Sequence, residues 1–102
     1  MRGILTTWRL EGTSAADVAR AAAGRLASVD PPGVVGAFLQ QTGPDAVALL
    51  VVAGGRARPE AIRGALDGLA ATLAGRAEPT GERAGDAWDL LALAHDGGVA
   101  LR

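Results

Sequence analysis

The sequence contains no cysteine, which excludes disulfides, thiolate zinc sites and cysteine nucleophiles together. Asparagine and tyrosine are also absent, so two side chains that often hold or protonate substrates are missing. A single histidine, His95, rules out a multi-histidine metal site within one chain. Aromatic residues are scarce at 3 %: Trp8, Phe38 and Trp88. The net charge is −1, so the chain lacks the basic excess of a general nucleic-acid binder, and no nucleic-acid partner is expected. Long apolar runs are missing too. The longest, Ala46 to Ala53, falls well short of the ~20 residues that cross a bilayer, and the N-terminus shows no secretion signal. The chain therefore reads as soluble and cytoplasmic, with no membrane partner.

What is present is rich in alanine and in glycine, with 15 of the latter. All ten basic residues are arginine, and lysine does not occur. Arginine, alanine, glycine and proline have GC-rich codons, so this usage points to a high-GC, bacterial genome. It is weak evidence for phosphate recognition, although arginine suits that role chemically. The 102 residues fit one domain, 1–102, with no repeat and no linker.

The hydrophobic pattern divides the chain into alternating elements. Gly3 to Leu10 reads as a strand with Ile4, Thr6, Trp8 and Leu10 on one face. Ser14 and Asp17 form a capping-box-like start for a helix whose stripe is Val18, Ala22, Leu26 and Val29. Asp30-Pro31-Pro32-Gly33 stops it. Val34 to Gln41 is a second strand, with Val34, Gly36 and Phe38 on one face and Val35, Ala37 and Leu39 on the other. A turn then returns the apolar strand Ala46 to Ala53 antiparallel. Pro59 and Glu60 open a second helix with the stripe Ile62, Leu66, Leu69 and Leu73, ended by Gly75. Gly75 to Asp86 is polar and turn-rich, with room for a short irregular strand over 77–83. Trp88 to Ala94 is expected as the last main strand, then a hairpin at Asp96-Gly97-Gly98 and a short edge strand over 99–102. The order strand-helix-strand-strand-helix-strand is the ferredoxin-like α+β pattern, with two helices on one face of an antiparallel sheet. A permuted α+β sandwich is the alternative.

Helices on one face leave the other to water, where strands should alternate with polar residues. Strands 34–39, 46–53 and 90–94 do not. Their second face carries aliphatic surface that a monomer rarely exposes, so the expected cover is a second copy of the chain, sheet to sheet. A ligand cavity between sheet and helices is the competing account.

With these elements in place, the chain resembles the dimeric α/β-barrel superfamily, and within it the antibiotic-biosynthesis-monooxygenase-like domains. The local likeness is Pro32-Gly33-Val34-Val35-Gly36-Ala37-Phe38-Leu39, the turn over 40–45, the apolar strand, and Pro59-Glu60-Ala61-Ile62 opening a helix. The resemblance implies a homodimer whose paired sheets form a barrel. The family's cofactor-free oxygenases are associated with asparagine, tryptophan and tyrosine or histidine in a cleft. With no asparagine or tyrosine here, no catalytic set carries over residue by residue. The resemblance implies shape and dimer more than a monooxygenase reaction, and no cofactor is expected.

Few residues offer chemistry. His95 is the candidate base, the only side chain that ordinarily titrates near neutrality. If 88–94 is a strand, Asp89 and His95 share a face but stand too far apart to touch, so His95 reads first as a solvated strand end. Trp8 and Trp88 can stack on a flat ligand and donate an N–H, or simply pack in the core or an interface. Arg56 and Arg58 in Gly54-Gly55-Arg56-Ala57-Arg58 precede a helix N-terminus and can hold an anion, or form a solvated loop. The Gly64-x-x-x-Gly68 pair is expected on the outer helix face. Acidic residues of the last quarter, Glu78, Glu82, Asp86, Asp89 and Asp96, read as a solvated rim with no metal-binding spacing. Two functions follow: a small dimeric barrel that binds an apolar or aromatic metabolite, monooxygenase-like, or a non-catalytic ligand-sensing or interaction module of the same shape.

Overall fold

Alternating polarity becomes alternating burial in the first strand. In β1 (Arg2–Leu10), Thr6, Trp8 and Leu10 are buried while Leu5, Thr7 and Arg9 are exposed. The structure, a computed structural model, describes residues 1–95. Its further elements are α1 (Ala15–Val29), β2 (Val34–Gly43), β3 (Ala46–Ala53), α2 (Pro59–Leu73), β4 (Ala77–Asp86) and α3 (Leu90–His95). The four strands form one antiparallel sheet in the order β2-β3-β1-β4. The fold is ferredoxin-like α+β. The two long helices lie on one face, where Val18 and Ala22 of α1 and Ile62, Leu66, Leu69 and Leu73 of α2 close over Trp8, Val47, Leu49 and Val51.

Local chemistry sets the boundaries. The Asp17 N–H donates to Ser14 Oγ at 3.1 Å, capping α1. Asp30 ends that helix in a left-handed conformation (φ 46°), its N–H donating to the Leu26 carbonyl at 2.8 Å. Pro59 occupies the first turn of α2, and Gly75 follows its end at φ 82°. Gly33 has φ 81°, and a Cβ there would sit 2.5 Å from the Ala57 backbone nitrogen. Only glycine lets the turn after α1 touch the loop before α2 this closely. The Gly54 N–H donates to the Gly33 carbonyl at 2.8 Å and fixes the contact.

Three expectations need correction. Among the described residues the last sheet strand is β4, Ala77–Asp86, extending the irregular strand expected over 77–83; Trp88 to Ala94 is not a strand. β4 escapes a hydrophobic reading because it is an edge strand, polar and exposed after Ala77, with Pro79 in it. Residues 90–95 are helical because Asp89 Oδ1 accepts from the Leu91 and Ala92 N–H groups at 3.1 and 3.0 Å, and leucine and alanine favour helices. The shared strand face of Asp89 and His95 therefore does not exist. The second correction is in β2. An irregularity between Val34 and Gly36 flips the alternation, so Val34, Ala37 and Leu39 pair with inward Ala53, Val51 and Leu49, and Phe38 pairs with outward Leu50. Third, Gly68 is not on an open helix face: the Arg25 guanidinium of α1 lies over it, leaving no space for a Cβ. The hairpin at 96–98 and the strand over 99–102 lie outside the described residues.

The face without helices carries an apolar patch, bordered by Arg83, Thr7 and Gln40. Leu5, Leu50 and Phe38 form one row across β1, β3 and β2, and Val52 lies beside them. Phe38 and Val35 are 65 % and 63 % exposed. Beyond them Trp88, Leu90 and Leu91 are 63–70 % exposed, so the segment after β4 adds to an uncovered apolar surface.

Candidate functional site

The inward residues of β1 and β4 do not pack against α2 along its whole length. Two cavities separate them. The first, about 390 Å³, lies near the N-terminal end of α2 between Arg2, Ile4 and Ala84 on the sheet and Ala57, Ile62 and Arg63 on the helix side. The second, about 320 Å³, lies further along the same helix between Thr6, Trp8 and Pro79 on the sheet and Arg63, Leu66 and Ala70. Ile4 and Thr6 are successive inward residues of β1, and Ile62 and Leu66 are one turn apart on α2. The cavities are consecutive stretches of one groove.

A bulge in the edge strand shapes the second stretch. Between the pairs Thr7–Gly81 and Trp8–Pro79, β4 carries an extra residue, Thr80, whose hydroxyl pairs with that of Thr7 at 3.1 Å. The extra residue brings both Pro79 and Glu82 to the groove side.

The groove holds two buried donors with no partner among the described residues. Trp8 is 2 % exposed and Thr6 is 5 % exposed, and neither the Trp8 indole N–H nor the Thr6 hydroxyl makes a hydrogen bond. Buried polar groups are normally paired, so such sites point to a missing partner. Between the two stretches the Arg63 guanidinium of α2 bonds to Glu82 of β4, with Asp67 3.9 Å away on the helix. The Glu82 hydrogen bond raises the Arg63 pKa above its ordinary value. The same bond holds the Glu82 carboxyl below its usual range, against a smaller opposing effect of burial.

Of the residues expected to matter, Trp8 alone enters the groove. Trp88 borders a third cavity of about 340 Å³ on the opposite, uncovered face, with Phe38, Leu50 and Val52. His95 is exposed at the end of α3 and has no hydrogen bond among the described residues. Arg56 and Arg58 are exposed in the loop, and it is Ala57 between them that lines the groove. Sequence reasoning passed over Thr6, Arg63 and Glu82. Thr6 carried a signal, being a polar residue on the inward face of an apolar strand. Glu82 carried none, because its partner is 19 residues away on another element.

This architecture recurs in solved structures. HapK from Hahella chejuensis superposes with a TM-score of 0.57 at 20 % identity, covering 86 % of this chain and 93 % of that one. SnoaB from Streptomyces nogalater, a cofactor-independent oxygenase, superposes with a TM-score of 0.62 at 17 % identity over the same shares. Its asparagine-to-alanine variant gives the same values. The chain shares the ferredoxin-like α+β fold of these structures. At these identities the likeness concerns the fold. No protein-family model matches this sequence, and no curated protein matches it. In this fold the chain combines a helix-covered face that holds the groove and a bare face with an apolar patch around Leu5, Phe38 and Leu50. Among the described residues no helix is long and apolar enough to cross a membrane.

Proposed function

We propose that this protein binds a flat apolar or aromatic metabolite in the groove between β1, β4 and α2, in a monooxygenase-like barrel. The observation that carries this reading is the pair of buried, unpartnered donors on Thr6 and Trp8, residues lining an otherwise largely apolar cavity. Ligand sites are commonly concave, mostly apolar and supplied with a few such polar groups. The cavity volumes, about 390 and 320 Å³, suit one or two fused rings each. Oxygenation of the bound ligand is the reaction this reading suggests, by likeness of fold to SnoaB. The stable unit is a homodimer that covers Leu5, Phe38 and Leu50 with the same residues of a second copy.

The test is titration of a Trp88→Phe variant with 1-naphthol, reading fluorescence of the remaining Trp8. Saturable quenching that Thr6→Val weakens several-fold supports the groove. An unchanged Trp8 signal at millimolar ligand, or equal binding by Thr6→Val and by Trp8→Phe followed calorimetrically, overturns it. Oxygen consumption in the presence of bound phenols then separates an enzyme from a binding module.

A further inference from the structure

Among the described residues Arg63 alone lines both stretches of the groove, and its guanidinium is bonded to Glu82 across the gap between helix and edge strand. The pair is a bar across the groove. It is also an exposed bar: the Arg63 and Glu82 side chains are 47 % and 36 % exposed. Such surface pairs contribute little, so opening this one costs little. Beneath it lie Thr6 and Trp8, nearly fully buried and without partners. A ligand long enough to span both stretches displaces the bar, and the guanidinium then faces that ligand.

We propose that Arg63 determines the specificity of the groove by exchanging Glu82 for an anionic oxygen group, a carboxylate or an ionised acidic hydroxyl, on a flat aromatic ligand. This rests on the groove being a ligand site. The chemistry follows from the donor set. Arginine is charged at every working pH and presents a planar fork matched to two oxygens. Displacing Glu82 leaves that fork without its carboxylate, and a ligand oxygen anion restores it, whereas a neutral ligand leaves the cation less well paired. The other charged groups of the groove do not reverse this preference. Glu60 and Asp67 are exposed on α2, where water screens them, and Arg2 adds a second positive charge at the far end. Glu82 thus acts as an internal stand-in for the ligand's anionic group, and it rejects ligands that cannot replace it.

The experiment compares 2-naphthoate with its neutral near-isostere 2-naphthamide by calorimetry. The proteins are the full-length wild type, Glu82→Gln and Arg63→Gln. The wild type is expected to prefer the carboxylate about threefold. Glu82→Gln removes the pair that either ligand must open, so both affinities rise about two- to fivefold, the range set by an exposed ion pair, and the carboxylate preference persists. Arg63→Gln abolishes the preference. Equal affinities for both compounds in all three proteins overturn the role of Arg63 but leave the groove as a ligand site. A carboxylate preference that survives Arg63→Gln also overturns it, since the guanidinium is then not its source. Binding of neither compound to any of the three overturns the groove reading itself, and the role of Arg63 with it.

Discussion

Trp8 and Trp88 belong to opposite faces of the same sheet. Trp8 is 2 % exposed beneath α2, whereas Trp88 is 69 % exposed at the rim of the bare face, bordering the same cavity as Phe38. Their fluorescence should therefore separate. In monomeric protein, acrylamide should quench one component strongly and the other weakly, giving a downward-curving Stern–Volmer plot. Trp88→Phe should leave a single blue-shifted, poorly quenched emission. A straight plot with complete quenching would contradict the burial of Trp8.

Phe38 and Leu50 pair across β2 and β3 on that bare face. Phe38→Glu should place repelling charges in a sheet-to-sheet dimer. Sedimentation equilibrium at micromolar concentration is expected to show a dimer for the wild type and a monomer for the variant, with unchanged far-ultraviolet circular dichroism. A wild-type monomer would remove the dimer from the proposed function.

Gly33→Ala should destabilise the fold by about 1–3 kcal/mol, measured by urea unfolding. Its φ of 81° is costly for alanine, and the new Cβ would meet the Ala57 backbone. Gly55→Ala is the control, because a Cβ there meets nothing within 4 Å. Equal stability of the two variants would mean that the loops do not touch as described.

Asp89→Ala removes the cap of α3. The expected loss is about 1 kcal/mol of local helix stability. Faster hydrogen exchange should appear at Leu91, Ala92 and Leu93, with little change in global unfolding, because α3 has no buried residue. Unchanged exchange would argue that the helix is held by something other than its cap.

The Arg63–Glu82 pair makes stability depend on acidity. Arg63 lowers the folded-state pKa of Glu82, so the folded protein holds its carboxylate more readily than the unfolded chain does. The contribution is complete above the unfolded carboxylate pKa and is lost as pH falls through the lowered folded value. For a pair this exposed it amounts to about 1 kcal/mol or less. The stability difference between wild type and Glu82→Gln should be present at pH 7 and vanish near pH 2. A difference that persists at pH 2 would mean that the substitution acts through packing.

Legibility in the sequence followed how much of each signal was local. Ser14, Asp30, Pro59 and Gly75 announced the helix ends because capping is settled within four or five residues. The Ala46–Ala53 run announced a central strand because both of its faces meet apolar surface. β4 was legible only as a short irregular strand over 77–83, because edge pairing with β1 makes it a full strand despite its polar composition. Residues 90–95 misled because Leu-Leu-Ala-Leu-Ala fits either a strand or a short helix, and the Asp89 side chain tips the balance. Of the site, Trp8 was visible as a rare aromatic on an inward face. Its neighbours Arg63 and Glu82 looked like ordinary surface charges.

By itself the sequence determined the element order through Leu73, the helix caps, the apolar excess on the sheet and the absence of thiolate or multi-histidine chemistry within one chain. Each of these depends on residue type and short-range spacing. Only the tertiary structure decided that Thr6 and Trp8 lie buried without partners, that Arg63 reaches Glu82, and that Trp88 stands on the other face. Those relations depend on the pairing of β1 with β4 and on the single-residue bulge at Thr80, which sets the side of the sheet that each β4 side chain takes.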